Sequence, residues 1–257
     1  MVTINIILYF YIYIYDTLYL DRKDGVRFMD FKTKEIYLHY IMCLNGGFLG
    51  GYSLLCRNGD FGSAQTTNMF QILFTLLGKN LEEFSIRLFG LILYCSGILI
   101  CTFLLNQKLF NMQRYVILVN MLGVILLSVL PTEIDPLIGI LPIFFMTSTQ
   151  WSIFHGTENY NCSTIFSTNN VRQFVSSLGD YLINKKDDQK DKALFYALTL
   201  FWYYFGAVIS FVSCNRLEVH ASLVCIPFML FAWILTFENN PFIGLIKIKK
   251  YINGGLL

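Results

Sequence analysis

Two short clusters of Thr, Asn and Gln side chains interrupt an otherwise apolar sequence, and their chemistry suits the binding of a small solute. Hydroxyl and amide groups supply both hydrogen-bond donors and acceptors. Polar groups within a membrane usually face the interior of the bundle or a water-filled cavity. We therefore expect the two clusters to face each other near the middle of the membrane. The candidate substrate-binding residues are Gln65, Thr66, Asn68, Gln150, Thr168, Asn169, Asn170 and Arg172.

Arg172 is the only charged side chain within either polar segment, and its counterpart in the first segment is Phe70 or Gln71. An arginine inside a membrane indicates an acidic group on a solute or a buried carboxylate partner. In the alternative interpretation, the Thr and Asn side chains only cap and join helices. Arg172 then reaches the membrane surface through its long side chain or pairs with Asp180.

Gln150 lies within an apolar stretch that ends shortly before the second polar cluster. A buried amide requires hydrogen-bond partners, because leaving it unpaired costs free energy. We expect Gln150 to find its partner in the neighbouring polar segment.

The sequence offers little for catalysis, metal binding or nucleic-acid binding. The three histidines are far apart and belong to no catalytic motif, and the seven cysteines form no CxxC pair or Cys/His ligand pattern. We therefore expect no enzyme activity, no cofactor and no metal site, and the cysteines are interpreted as packing residues. A net charge of +2 without a basic patch indicates no nucleic-acid partner.

The composition is that of a protein that crosses the lipid bilayer several times. Of the 257 residues, 55% are hydrophobic and 14% are charged, whereas a soluble domain carries about a quarter charged residues. The charges gather in short clusters between apolar runs of about twenty residues, the length that crosses the hydrocarbon core. The sequence therefore predicts an all-α polytopic membrane protein whose main surroundings are lipid.

An internal repeat relates the two polar segments. Ser63–Gly78 resembles Thr164–Gly179 when the sequence is shifted by 101 or by 102 residues, and both registers are open. Each half has a long helix, a short or broken polar half-helix and two further long helices. We predict two repeats of about four helical elements each, covering residues 35–131 and 137–238. Internal duplication of this kind is common among transporters.

The polar segments leave two topologies open, with six or with eight membrane crossings. The number of Lys and Arg residues on the outer side of the membrane is the same in both topologies, so the positive-inside rule does not distinguish them. We favour six crossings, because the second polar segment is too polar to face lipid along its whole length. Both topologies place the two termini in the cytoplasm. Residues 1–34 are predicted as an apolar and basic N-terminal extension, and residues 241–257 as a cytoplasmic tail.

Four glycines in the first long helix predict close helix packing. Gly46 and Gly50 are four residues apart, as are Gly47 and Gly51. This spacing lets another helix backbone approach closely. We expect the Gly46/Gly50 face to pack within the chain or to pair two copies in a homo-oligomer.

The stretch from Gly46 to Gly78, together with the later TQWSIF motif, resembles the YoaK family of small bacterial membrane proteins, a group of unknown function. The resemblance extends from about Ile36 to about Phe237. The family's Thr-Gly-Asn motif corresponds to TTN at residues 66–68 and to TNN at residues 168–170, followed by Val-Arg as in the family. The Asp of the family's opening motif is replaced by Gly50, which counts against an ion-coupled activity that needs this carboxylate. The resemblance implies a YoaK-like transmembrane domain over residues 35–240 in the bacterial plasma membrane.

Two functions remain open at this point. The first is a small-solute transporter whose path is lined by the Thr and Asn clusters, with Arg172 attracting an anionic group. The second is a membrane scaffold or accessory subunit in which the same clusters only pack helices.

Overall fold

The computed structural model describes residues 31–57, 61–108, 111–157 and 160–237, and their side chains from Lys34 onward. Within these ranges the secondary structure is helical, apart from an isolated antiparallel bridge between Gly156 and Asn161. The predicted all-helical fold is therefore confirmed. Most of the predicted N-terminal extension and the predicted C-terminal tail lie outside the described residues.

The polar segments form two separate helices, of 13 and 17 residues. Asn80, Asn111 and Asp135 cap the starts of three long helices by accepting a hydrogen bond from a backbone N–H. A 3₁₀ helix, Glu218–Val224, joins the last two helices. The helices are α1 (Phe31–Cys56), α2 (Gln65–Leu77), α3 (Leu81–Gln107), α4 (Met112–Val129), α5 (Pro136–Ile153), α6 (Thr168–Asn184), α7 (Asp187–Leu217) and α8 (Cys225–Leu235).

Four helical stretches are long and apolar enough to cross a membrane by length and composition alone: α3, α4, α5 and the continuous run Asp187–Leu235. The first long helix of the predicted repeat 35–131 corresponds to α1, which is not among the four and is instead the buried centre of the bundle. Met42, Cys43 and Phe48 on α1 are fully buried. Because other helices surround α1, it does not need a lipid-facing apolar surface.

Hydrogen bonds show which helix termini meet at one end of the bundle. Arg57, just after α1, donates to the backbone oxygens of Leu130 and Pro131 after α4, at 3.0 and 2.8 Å. Arg87 near the start of α3 and Asp135 before α5 line one cavity. Since Asp135 follows Pro131 closely along the chain, α1 and α4 end where α3 and α5 begin.

The opposite termini meet at the other end of the bundle. Lys34 Nζ in α1 donates to the backbone oxygen of Phe237 at 2.7 Å, and Arg114 Nε in α4 donates to Thr236 Oγ1 at 3.1 Å. The starts of α1 and α4 therefore lie beside the C-terminal side of α8. The last turns of α3 and α5 belong to this end too, because a cavity here is lined by Leu104, Met112 and Ile153.

The short helices α2 and α6 do not carry the chain across the bundle. Helix α1 ends at the same end of the bundle where α3 starts. The chain between them, which includes α2, therefore leaves this end of the bundle and returns to it. Lys79 and Lys185, with φ of 59° and 53°, form the turns that fold α2 onto α3 and α6 onto α7. The six-crossing prediction takes α1, α3, α4, α5, α7 and α8 across the membrane, whereas the eight-crossing alternative requires α2 and α6 to traverse as well. Both numbers of crossings stay predictions, because α1 is not among the four stretches that are long and apolar enough to cross.

Glycines bring α1 into backbone contact with neighbouring segments of the same chain. A Cβ atom at Gly47 would overlap the backbone oxygen of Tyr203 on α7, and one at Gly46 would overlap that of Thr164. Gly50 lies against the Phe61 ring. The predicted close packing is therefore confirmed. The face formed by Gly46 and Gly50 is occupied within the chain, which corrects the expectation that it pairs two copies.

Candidate functional site

The helices that carry the two polar clusters pack on different partners. Helix α2 packs only on α3, and helix α6 packs only on α7, when the described helices are compared. The segments that lead into the two helices nevertheless both reach α1: a Cβ atom at Gly50 would overlap the Phe61 ring, and one at Gly46 would overlap the backbone oxygen of Thr164. The expectation that the two clusters face each other across a shared interior stays a prediction.

In the first cluster, the amide side chains stabilise the start of α2. Gln65 Nε2 donates to the backbone oxygen of Gly62 at 3.0 Å, and the buried Asn68 donates from Nδ2 to that of Phe61 at 3.4 Å. Thr66 is exposed on the outside of the bundle. The structure thus gives Gln65 and Asn68 local partners, while their predicted role in solute binding stays a prediction.

In the second cluster, Asn170 is fully buried and holds the segment before α6 in place. Its Nδ2 donates to the backbone oxygens of Ser163 and Phe166 at 2.8 and 3.0 Å. Its Oδ1 accepts from the backbone N–H of Ser163 at 3.3 Å and from the Cys162 thiol at 3.2 Å. Thr168 and Asn169, the two residues directly before it, are exposed.

Arg172 is exposed on the outer side of α6. Among the described residues it has no hydrogen-bond or ion-pair partner, so the expected pair with Asp180 does not form. Its predicted attraction for an anionic solute stays a prediction.

The two half-helices use equivalent side chains in the same way when they are shifted by 102 residues (170 − 68). Asn68 and Asn170 each donate to the backbone oxygen seven residues earlier. Thr75 Oγ1 donates to the backbone oxygen of Gln71, and Ser177 Oγ donates to that of Gln173, both at 2.8 Å. These contacts match at the shift of 102 residues, one of the two registers that the sequence leaves open, and the internal repeat itself stays a prediction.

A second group of polar residues lies at the centre of the bundle, and we call it the amide cluster: Asn45 on α1, Asn120 on α4, Gln150 on α5 and Thr164 before α6. Each has 1% or less of its surface exposed. Gln150 Nε2 donates to Thr164 Oγ1 at 3.1 Å and to the backbone oxygen of Met42 at 2.8 Å. The expectation that Gln150 bonds to the neighbouring polar segment is confirmed.

Asn45 connects the amide cluster, and one of its atoms is left without a partner. Its Nδ2 group donates to Gln150 Oε1 at 2.8 Å and to Asn120 Oδ1 at 3.2 Å. Its Oδ1 atom is buried and accepts no hydrogen bond from the described residues. A buried polar atom left unpaired costs about 1–3 kcal/mol. Such an atom in a packed core therefore calls for an explanation, and a ligand is one.

Asn45, Asn120 and Thr164 were not among the binding residues predicted from the sequence. The available signal was a single amide in the middle of each of two otherwise apolar helices, α1 and α4. Such a residue is costly in a membrane unless it is paired. Its partners are distant in sequence, however, and the sequence does not show which helices become neighbours.

A third polar group lies between α1, α7 and the segment before α6. His39 Nε2 is 3.3 Å from Thr199 Oγ1 and 3.4 Å from Cys43 Sγ, and Cys162 Sγ is 3.8 Å from Thr199 Oγ1. His39 Nδ1 is buried without a partner in the described part of the chain. Metal-binding histidines almost always donate their second ring N–H to a partner. In the described ranges, no group of three or more His, Cys, Asp or Glu residues could hold a metal ion.

Comparison with known proteins gives a family match and nothing closer. The model of a family described as a protein of unknown function, DUF1275, matches residues 38–236. No curated protein and no solved structure matches the chain.

Proposed function

We propose, from the premise that this chain belongs to the DUF1275 family of proteins of unknown function, that it is a transporter of small polar solutes in the bacterial plasma membrane. The observation that carries the proposal is the amide cluster. It places four buried polar side chains where α1, α4, α5 and the segment before α6 meet. Buried polar groups in a membrane protein commonly mark a substrate or ion pathway.

The arrangement of helices supports the proposal. Helix α1 packs on α7 and α8, while α5 packs on α3 and α4, so the first helix of each predicted repeat contacts the later helices of the other. Helices α1 and α5 run in opposite directions, as inverted repeats do. In transporters built from inverted repeats, the solute site lies where the repeats meet. The amide cluster lies at such a place, because it joins α1 to α5.

The charge distribution supports an orientation with the start of α1 in the cytoplasm. Five basic residues between Arg22 and Lys34 precede the apolar part of α1, and positive charge favours the cytoplasmic side. In this orientation both termini are cytoplasmic, and the α2–α3 turn faces outward. Small neutral or anionic solutes are the class that an amide-lined path without carboxylates would accept.

The proposal is tested by the permeability of liposomes that contain the purified full chain. We would follow the entry of glycerol, urea, acetate and phosphate by osmotic light scattering in a buffer that contains both sodium and potassium. At least one of these solutes should enter faster than into protein-free liposomes. Gln150→Leu should slow that entry about tenfold or more, because a buried hydrogen-bond network is lost.

Asn184→Ala is the matched control, since Asn184 is an exposed amide on α6 outside the candidate sites, and it should leave the entry rate unchanged. The proposal is wrong if none of the four solutes enters faster than into protein-free liposomes. It is equally wrong if folded Gln150→Leu protein, with native helix content and elution volume, transports like the wild type.

A second candidate function, a membrane scaffold or accessory subunit, is favoured by a separate observation. Asn68 and Asn170 are buried and bond to carbonyl groups of their own segments, so they need no solute. Under this function, substitutions in the amide cluster lower the amount of folded protein and change no solute flux.

A further inference from the structure

The amide cluster brings side-chain oxygens close together around the amide group of Asn45. Gln150 Oε1 and Asn120 Oδ1 lie 2.8 and 3.2 Å from the same Nδ2 atom. The hydrogens on this nitrogen carry partial positive charge, and they hold the two oxygens together. The Oδ1 atom of Asn45 points away from both oxygens and is unpaired in the described structure.

Rotation of the Asn45 amide by half a turn would exchange its two terminal atoms. Oδ1 would then stand where Nδ2 stands, beside Gln150 Oε1 and Asn120 Oδ1. Three amide oxygens without a hydrogen between them repel one another. A positively charged ligand among them reverses the sign of that interaction, and it also pairs the orphan oxygen.

We propose that the amide cluster is a binding site for a monovalent alkali cation, with the oxygens of Asn45, Asn120 and Gln150 as ligands. The inference deepens the proposed function, because it concerns the same cluster and supplies a coupling ion for it.

The chemistry of the cluster favours a singly charged ion. The three side-chain amides are neutral oxygen donors, the ligand type that hard cations prefer. Rings of neutral carbonyl oxygens bind alkali ions in channel filters. A divalent ion in protein is usually held by carboxylates, and the four members of the cluster include none.

Thr164 links the cluster to the segment that leads into α6. Its Oγ1 accepts from Gln150 Nε2 at 3.1 Å and donates to the backbone oxygen of Phe154 at 3.2 Å. Thr164 therefore holds the Gln150 amide in the orientation that directs its Oε1 atom toward Asn45.

The test uses the purified full chain in detergent and measures its unfolding temperature. The salts compared are sodium, potassium and lithium chloride, with choline chloride of equal ionic strength as the reference. We expect at least one alkali cation to raise the unfolding temperature by about 5 °C at saturation, because a ligand that binds only the folded state stabilises it. Asn45→Leu should remove the shift. Asn45→Asp should enlarge it and bind the cation about tenfold more tightly, since a carboxylate is a stronger ligand than an amide.

Asn68→Ala is the control, because it removes a buried amide of α2 that is not part of the amide cluster, and it should keep the full shift. The inference is overturned if the wild type unfolds at one temperature in all four salts, as a buried water at Asn45 would predict. It is also overturned if folded Asn45→Leu protein keeps the shift. Neither result changes the liposome measurement, so failure of the cation site is distinguishable from failure of the transport proposal.

Discussion

Adjacent residues with the same side chain have opposite environments at the start of α6. Asn170 is fully buried, whereas Asn169 is exposed. One step along an α-helix turns the side chain by about 100°, so only one of the two can face the segment before α6. The side chain of Asn170 forms hydrogen bonds that fix that segment, whereas the side chain of Asn169 forms none with the described residues.

Asn170→Ala should therefore destabilise the protein by about 2–3 kcal/mol, because it leaves buried backbone groups of Ser163 and Phe166 without their partner. Asn169→Ala should change the unfolding free energy by about 0.5 kcal/mol or less. Denaturant unfolding in detergent, followed by circular dichroism, measures both. Equal effects of the two substitutions would contradict the structural role given to Asn170.

At the scale of helices, α6 begins beside the middle of α7, about halfway along the length of the bundle. Ser167 Oγ accepts a hydrogen bond from the Tyr204 hydroxyl at 3.0 Å, and Tyr204 lies in the middle of α7. The irregular segment before α6 is buried there: Cys162, Thr164 and Ile165 have 2% or less of their surface exposed. Non-helical backbone at membrane depth is tolerated only when it is covered by protein or lines a water-filled cavity.

The contact between α1 and α7 depends on glycine, which gives a prediction for this helix pair. Gly47→Ala should destabilise the protein by at least about 2 kcal/mol, because its Cβ overlaps the Tyr203 backbone, which cannot move aside. Gly179→Ala on α6 is the matched control, since nothing lies within 4 Å of a Cβ built there. It should stabilise the helix by about 0.5–1 kcal/mol. Thermal unfolding of both variants measures these changes in stability. A Gly47→Ala variant as stable as the wild type would show that α1 and α7 are less closely packed than described here.

At the scale of the whole molecule, the two ends of α3 should lie on opposite sides of the membrane. Glu82→Cys, near the start of α3, should react with a membrane-impermeant maleimide in intact cells. Gln107→Cys, at its end, should react only after permeabilisation. Both positions are exposed. The physical reason is that α2 returns to the side that α1 reached, so α3 crosses from outside to inside.

The wild-type chain is the blank for this labelling, and Lys190→Cys near the start of α7 should behave like Gln107→Cys. The reverse sidedness of Glu82 and Gln107 is the result that eight crossings require, and it would overturn the six-crossing arrangement.

The amino-acid sequence by itself determined the helical membrane character and the positions of the two half-helices. These depend on local properties, namely the length of apolar runs and the places where Thr, Asn and Gly interrupt them. It also identified Gln150 as an amide that needs a partner close to the second polar segment.

Only the tertiary structure decided which of these elements meet. It packed α2 on α3 and α6 on α7, and it joined Asn45, Asn120 and Gln150 at the centre. It also turned Asn170 inward and Arg172 outward. Neighbours in a bundle are chosen by the packing of whole helix faces, and a rotation of one residue along a helix exchanges a buried side chain for an exposed one. Neither is encoded in the composition or spacing of a single segment.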